Sequence, residues 1–422
     1  MEPVASTLRP LVQAILGTPS IPVRIEFWDG SSLGPSEGAG TLVVRSPEAV
    51  RHIIWAPGEL GLGRAYVSGE IDFRGDVFTG MRALQTAVPS RGAFMPKVFA
   101  NAVAAARQLG IAEGPPDAPA EEIRPRGLRH SRSRDRQAVS HHYDVGNDFY
   151  RLMLGPSMTY SCARFADPAM SLEDAQASKH ELICRKLGLH QRVDMRLLDV
   201  GCGWGSLAMH AARHHQATVV GVTISDAQAE LARKRVVEAG LADRVEIRVQ
   251  DYRDVRDGPF DAVSSVGMFE HVGARQMPVY FGRLRALIVP SGRLLNHAIS
   301  SVGGSRIGSR SFMGRYVFPD GQLIDVGDVV LAMEQAGFEV RDVESLREHY
   351  AETLRCWVAN LDARWDRAVE LVGERRARIW RLYTVGSALG FEDGGTSIHQ
   401  VLGVCAAQDG TSGVPRTRAD WV

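Results

Sequence analysis

Three glycines set the first chemical question. In "RLLDVGCGWGSLAMHAARHH" (residues 196–215), Gly201, Gly203 and Gly205 alternate directly after the apolar run Leu197-Leu198-Asp199-Val200. A segment of helical composition follows. Strand, glycine turn and helix together bring bare backbone N–H groups and a helix N-terminus up to a nucleotide. A dinucleotide site would read G-x-G-x-x-G, with an acid ending the second strand to hold the ribose. Here the third glycine comes one residue early and Ser206 follows it. The second strand runs into "VVGVTISDAQ", with Thr223, Ser225 and Gln228 where the acid would stand. There is no G-K-[ST] for a triphosphate. A pyrophosphate site is disfavoured.

The tight turn suits a ligand with a small polar tail lying over Gly201 to Gly205, such as the methionine part of S-adenosylmethionine. After the third strand, "VQDYRDV" offers the Asp251 carboxylate to an adenine amino group and the Tyr252 ring to its face. The same glycines also permit a plainer reading, a turn that binds nothing.

The elements that position these residues alternate strand and helix. Strands are expected at 197–200, 218–222, 245–249, 260–266 and 293–300, with helical spacing between them, as in "DAQAELARKRVVEAG". This pattern predicts an α/β fold with a doubly wound parallel sheet covered on both faces. The first hundred residues read as a smaller α/β unit. In "VRIEFWDG", Val23, Ile25 and Phe27 alternate with Arg24 and Glu26 before an Asp-Gly turn, the pattern of a half-buried hairpin strand. A strand through Val44 follows. Ser46-Pro47 then caps a short helix with Val50, Ile53 and Ile54 on one face. "EGPPDAPAEE" (113–122) has the proline and acid content of a linker, and six arginines lie between Arg124 and Arg136. Near the C-terminus, Leu354, Val358, Leu361, Trp365 and Val369 recur at helical spacing. The last residues read as a loose tail.

Composition narrows the function classes. The 422 residues are 45% hydrophobic and 23% charged, with 49 basic and 49 acidic side chains, so no overall field argues for nucleic acid. No apolar run approaches the roughly 20 residues of a bilayer span, and no secretory signal is evident. Cys162, Cys184, Cys202, Cys356 and Cys405 form no C-x-x-C pair. That suits free thiols in a reducing cytoplasm, and no metal site is read from their spacing.

Five further motifs occur in order: "YDVGNDFYRLMLGPSMTYSCARF" (143–165), "GVTISDAQ", "GMFEHVG" (267–273), "RYVFPDG" (315–321) and "HYAETLRCW" (349–357). With them the chain resembles the cyclopropane-fatty-acid synthase family of S-adenosylmethionine-dependent methyltransferases over nearly its whole length. "GELGLGRAYVSGEID" (58–72) is similar to the small N-terminal lipid-engaging domain of longer bacterial members. "LLNHAIS" and the stretch "LYTVGSALGFEDGGTSIHQVLGV" most resemble actinobacterial fatty-acid methyltransferases that build mid-chain methylene and methyl branches, as in tuberculostearic acid.

The resemblance implies a class I methyltransferase sheet and a lipid-engaging domain over 1–112. A linker with the basic cluster would follow over 113–136, the methyltransferase domain over 137–408 and a tail over 409–422. It implies S-adenosylmethionine as cofactor, at positions matching Tyr160, Ser161, Gly201, Gly203, Thr223, Gln228 and Tyr252; Gly205 and Asp251 join these from the reading above. Trp204 either screens the sulfonium or only packs on the adjacent helix. The implied substrate is an unsaturated phospholipid at the membrane surface, reached from the cytoplasmic face by a peripheral enzyme. An alkene is a feeble nucleophile, which only an electrophilic methyl can draw out, and its attack leaves a carbocation that must be kept from water. A base then sets the product as cyclopropane, methylene or shifted alkene. Bound bicarbonate is the implied base, at positions matching Cys162, Glu270, His297, Ile299 (through its backbone) and Tyr350. Tyr316 and Phe318 suit an acyl channel whose ring faces stabilise the cation. The arginines suit docking on an anionic bilayer, or form a solvated linker. A homodimer and a reductase acting on the product are candidate partners.

Three readings follow: a lipid methyltransferase, a small-molecule amine N-methyltransferase with much of the same motif set, and a silent lipid-binding protein on the same fold. Within the first, cyclopropane synthases of the resembled family usually carry Leu before the strand histidine, where this chain has Asn296. The expectation is a mid-chain methylene product, with cyclopropane as the alternative.

Overall fold

The computed structural model describes residues 2–38, 40–87, 95–111, 113–123, 134, 145–305, 308, 311–319 and 321–421. The chain divides into two units. One joins residues up to 124 with 308–317 and 372–389; the other joins 125–307 with 318–371 and 390–422. The division is therefore discontinuous, unlike the continuous 1–112 and 137–408 segments expected from the sequence.

Buried polar links explain why the later segments belong to the first unit. In the helix Glu374–Glu392, Arg378 has a side chain only 5% exposed, ion-paired to Asp72 at 3.0 Å. Its guanidinium also lies over the Tyr66 ring at 5.1 Å. The Phe312 N–H donates to Glu59 Oε1 at 2.9 Å, and the Ile123 N–H to the Arg315 carbonyl at 2.7 Å. A buried charge such as that of Arg378 is stable only with its partner, and the other two bonds tie backbone to the same unit.

In this first unit, β1 (Arg24–Glu26), β2 (Ser32–Leu33), β3 (Thr41–Val44) and β4 (Ile71–Arg74) form a sheet ordered β2-β1-β3-β4. The β1–β2 hairpin pairs Ile25 with Leu33, and Val23, Ile25 and Phe27 are all buried, as their alternation predicts. Ser46 caps the helix Pro47–Trp55 by accepting from the Glu48 N–H at 3.1 Å. The acidic end of the expected linker is anchored: Glu122 takes the Arg64 guanidinium at 2.7 and 2.9 Å with its side chain almost fully buried. Apart from Arg134, the arginine cluster lies outside the described residues, as do Tyr143 and Asp144 of the first motif.

The second unit holds β5 (Arg196–Val200), β6 (Thr218–Thr223), β7 (Val245–Val249), β8 (Phe260–Val266), β9 (Ile288–Ser301), β10 (Glu339–Ser345) and β11 (Thr396–Val404). Their order is β10-β11-β9-β8-β5-β6-β7. Strands β5 to β9 pair in parallel, while β11 runs antiparallel between β9 and β10. Each strand expected from the sequence is present, with β9 extended by several residues. Apolar side chains alternate onto two cores: Leu198, Val200, Val263 and Leu294 on one face, Leu197, Ala262 and Leu295 on the other. The C-terminal helical stripe is two helices, Arg347–Asp362 and Trp365–Val372, of which the first buries Leu354, Val358 and Leu361.

The end of the chain is not a loose tail. Trp421 is buried in the core behind β5, beneath the Lys186 ammonium at 5.8 Å. Arg418 pairs with Asp342 at 2.6 Å, and Arg293 donates to the Gly413 carbonyl at 2.5 Å. The aromatic ring and the buried acid outweigh the polar, glycine-containing composition that suggested disorder. No described helix is long and apolar enough to cross a membrane.

Candidate active site

A pocket opens beyond the carboxyl ends of β5, β6, β7 and β8, where the strand order reverses about β5. Open α/β sheets place ligands at that switch point. Of the residues expected to hold the cofactor, Tyr160, Ser161, Gly201, Gly203, Thr223, Gln228, Asp251 and Tyr252 all border it. Gly203 has φ +54°, and a Cβ there would meet no atom within 4 Å, so its missing side chain leaves space in the pocket. Gly205 does not border the pocket. It caps the helix Ser206–His215 at φ +79°, so it shapes the turn.

The pocket's polar rim is partly self-satisfied. Thr223 Oγ1 donates to Gln228 Oε1 at 2.8 Å. Both Asp251 oxygens are taken by the Arg253 guanidinium, at 2.8 and 2.6 Å, which leaves fewer lone pairs for an adenine amino group than the sequence suggested. Tyr252 packs edge-on against Tyr280 at 5.2 Å. Trp204 is both at the pocket wall and packed. It borders the pocket, and its indole N–H donates to Asn147 Oδ1 at 2.8 Å with the ring 4.8 Å from Tyr150.

Lys179 and Asp199 also line the pocket, and the sequence reading assigned neither. Lys179 Nζ donates to Ser161 Oγ at 2.9 Å, and Ser264 Oγ donates to Asp199 Oδ1 at 2.8 Å. Burial pulls the Lys179 ammonium down to about 7, against the pull of Cys162 and Asp199. Burial also pushes the Asp199 carboxyl up to about 6. A signal for Lys179 was present. In the helix Leu172–Leu187, residues 172, 175, 176, 179, 180 and 183 make the buried stripe, so Gln176, Lys179 and His180 occupy core positions.

The residues expected at the reacting centre gather at the same edge of the sheet, though none borders this pocket. Glu270 sits on the short 3₁₀ turn after β8. The Ile299 N–H donates to its Oε1 at 2.7 Å, while Oε2 is buried without a partner among the described residues. Burial pushes this carboxyl up to about 7. The turn is pinned to β9 because the Gly267 N–H donates to the His297 carbonyl at 2.9 Å. His297 and Ile299 share one face of β9, and Asn296 faces the other. The Gln400 amide nitrogen donates to His297 Nδ1 at 3.3 Å, which puts the ring proton on Nε2; that nitrogen is buried and unpartnered. Burial holds this imidazole neutral, well below its usual range.

Cys162 and Tyr350 reach the same edge from another side. The Cys162 thiol lies 3.6 Å from the Leu346 carbonyl, which also accepts the Tyr350 N–H at 3.0 Å. The Leu346 N–H donates to Ile398, paired with Ile299 across β9 and β11. Burial pushes the thiol up, so Cys162 stays protonated. Aromatic rings join this edge to the pocket: Tyr160 stacks on Trp357 at 5.3 Å, and Trp357 meets Tyr350 edge-on at 6.0 Å.

Tyr316 and Phe318, expected in an acyl channel, are not among the residues that line this pocket. Tyr316 belongs to the first unit, stacked on Phe312 at 5.0 Å, and Phe318 belongs to the second, 6.2 Å from His271.

The sequence and fold are similar to those of known proteins. The model of the mycolic acid cyclopropane synthetase family matches residues 130–401. The chain belongs to that family. A probable fatty acid methyltransferase of Mycobacterium tuberculosis is 41% identical over 420 residues, covering 96% of both chains. The cyclopropane-fatty-acyl-phospholipid synthase of Escherichia coli is 34% identical over 363 residues, covering 85% of this chain and 86% of its own. Among solved structures, the mycolic acid cyclopropane synthase CmaA1 complexed with S-adenosylhomocysteine is similar at TM-score 0.60 and 32% identity, over 66% of this chain and 99% of its own. The β5–β11 unit is thus a class I methyltransferase fold, and the chain is a fatty-acid-modifying methyltransferase of this family.

Proposed function

We propose that the chain transfers a methyl group from S-adenosylmethionine to the cis double bond of an unsaturated acyl chain in a phospholipid, giving a mid-chain methylene. The observation that carries this reading is the pair of buried orphan polar atoms, Glu270 Oε2 and His297 Nε2, set at the sheet edge behind the nucleotide-type pocket. A dry, half-satisfied polar site is costly unless a polar group completes it.

The residues present fit the cofactor: Gly203 leaves open space, and Tyr160, Ser161 and Gln228 offer polar atoms around it. When bound, S-adenosylmethionine supplies an electrophilic methyl group, whose transfer to the alkene leaves a cation on the neighbouring chain carbon. A hydride shift from the methylated carbon and loss of one proton from the new methyl then give C=CH2, with a net gain of CH2. Loss of that proton without the shift closes a cyclopropane. Neutral His297 offers an N–H, and Glu270 near its midpoint offers a carboxyl that can give or take a proton at neutral pH. Such donor and acceptor groups are of the types that would hold a bicarbonate ion, which would supply the base. In this structure the Ile299 N–H is already held by Glu270, so the anion would share that donor or displace the carboxylate.

The phospholipid reading draws on the Escherichia coli relative, named a cyclopropane-fatty-acyl-phospholipid synthase, and the methylene reading on Asn296 and on the resemblance of the C-terminal stretch to methyl-branching enzymes. Cyclopropane formation is the second reading, favoured by the family's own description. Peripheral docking on the inner membrane face through the arginine cluster belongs to the same proposal. Incubation with methyl-labelled cofactor and oleoyl phospholipid vesicles tests it. Label must appear in the acyl chain; label confined to added small amines would favour an N-methyltransferase.

A further inference from the structure

Behind the pocket wall, two helices bring together a donor set that the proposed chemistry does not use. Cys184 lies on the helix Leu172–Leu187, and His210 and His215 lie on the helix Ser206–His215. The Cys184 sulfur and one ring nitrogen from each histidine all fall within 4.8 Å of one another. Glu181, one turn before Cys184 on the same helix face, adds a fourth donor. Its Oε2 lies 3.2 Å from His210 Nε2 and 2.9 Å from His215 Nε2. Its other oxygen is held by Arg185 at 2.7 Å, which fixes the carboxylate toward the histidines.

We propose that Cys184, His210, His215 and Glu181 form a four-coordinate site for a zinc-type divalent ion that clasps the two helices together. One sulfur, two imidazoles and one carboxylate are the ligand types zinc takes, and four protein ligands make a closed, structural site. Tetrahedral ligands at zinc–nitrogen distances of about 2.0–2.1 Å stand about 3.3 Å apart, close to the carboxylate–histidine spacings here. The Cys184 sulfur, within 4.8 Å of both histidine nitrogens, must draw closer to them and to the Glu181 carboxylate for all four to bond one ion. Binding releases the thiol proton to solvent as the thiolate bonds the metal. Entry is from the Glu181 side, where the carboxylate is 35% exposed while the His215 side chain is 7% exposed. Sequence spacing hid the set because its members come from two separate segments with no paired cysteines.

The site would brace the pocket. Lys179 and His180, just before Glu181, border the pocket, as do Ser206 and Leu207 at the start of the histidine-bearing helix. A metal would therefore tie two of its walls together.

The test uses the full chain stripped with a chelator, then titrated with Zn2+ against a chromophoric competitor, and separately with Co2+. One equivalent should bind, Co2+ should give a thiolate-to-metal charge-transfer band, and the thermal midpoint should rise with Zn2+. Cys184→Ser should lose the band and, like His215→Gln, weaken Zn2+ binding by about 100-fold or more. His214→Ala, which changes the neighbouring histidine, should bind as the parent does. Absence of stoichiometric uptake overturns the proposal, as does uptake that neither Cys184→Ser nor His215→Gln weakens. Far-ultraviolet circular dichroism of both variants separates lost ligation from lost folding, and His215→Gln keeps the test open should Cys184→Ser unfold.

Discussion

The Ile299 backbone N–H holds one oxygen of Glu270 at 2.7 Å while the other oxygen is buried without a partner among the described residues. A carboxyl so placed is anchored by one atom and available through the other. Glu270→Gln keeps the size and the accepting oxygen, so it should fold and bind S-adenosylhomocysteine as the parent does. Turnover should fall by about 100-fold or more, as loss of a positioned proton-handling group does. Near-parental turnover would place the proton chemistry elsewhere.

The same residue ties stability to pH. Its carboxyl is pushed from 4.5 to about 7 by burial. Below pH 4.5 it is protonated in both folded and unfolded chains. From there to about 7 the folded chain keeps a proton that the unfolded chain has released, so its contribution to stability falls as pH rises. Above about 7 the loss is complete, at most about 3 kcal/mol. Glu270→Gln should gain in thermal midpoint relative to the parent as pH rises across that window. A constant difference would contradict the burial argument.

The glycine turn discriminates between nucleotides. S-adenosylmethionine and S-adenosylhomocysteine should bind with micromolar affinity and NAD should not, because the turn is one residue short and no ribose acid follows. At Gly203, φ is +54°, so Gly203→Val combines a strained backbone with methyl groups in the ligand's space. Calorimetry should show binding abolished. Comparable affinity for NAD would remove the cofactor assignment.

Lys179 makes cofactor binding pH-sensitive. The ammonium is pulled down to about 7, and it lines the pocket. S-adenosylmethionine carries a sulfonium charge that its demethylated product lacks, so a charged Lys179 opposes the substrate more than the product. Affinity for S-adenosylmethionine should rise as pH passes upward through about 7, more than affinity for S-adenosylhomocysteine does. Lys179→Met should flatten the difference. Parallel profiles for the two ligands in the parent would refute the electrostatic role.

The basic cluster is testable without its geometry. Neutralising Arg129, Arg132, Arg134 and Arg136 together should weaken sedimentation with anionic vesicles, by about 1 kcal/mol for each arginine near the surface, and reduce its salt sensitivity. Activity on detergent-dispersed substrate should change little. Unchanged sedimentation would make the cluster a solvated linker.

Much of this was legible in residue order. Parallel strands buried on both faces leave near-continuous apolar runs, so β5 to β8 stood out to within a residue or so. Strands β10 and β11 did not. Glu339–Ser345 reads as polar, since it is the edge strand of the sheet, and Thr396–Val404 runs antiparallel after the Asp393-Gly394-Gly395 turn, outside the strand–helix alternation that marked the others. The glycine turn marked the pocket because positive φ restricts residue choice. The residues proposed for the reacting centre could be named only through family resemblance: Cys162, Glu270, His297 and Tyr350 lie far apart in the chain, and Leu346 and β11 join them. Lys179 was legible only through helical phase, because its residue type points the other way. Its charge sits on a core-facing stripe, where sequence alone suggests a solvated side chain.

Proton NMR of the lipid product tests the central claim most directly. Asn296 is buried on the face of β9 opposite His297, so its influence on the base must run through the strand rather than by contact. Methylene and cyclopropane products have equal mass, but a methylene gives vinylidene signals and a cis-cyclopropane gives upfield ring protons. With oleoyl phospholipid and S-adenosylmethionine, the account predicts vinylidene signals that a separate reductase would remove. A spectrum holding only the upfield ring signals would contradict it and make this chain a cyclopropane synthase.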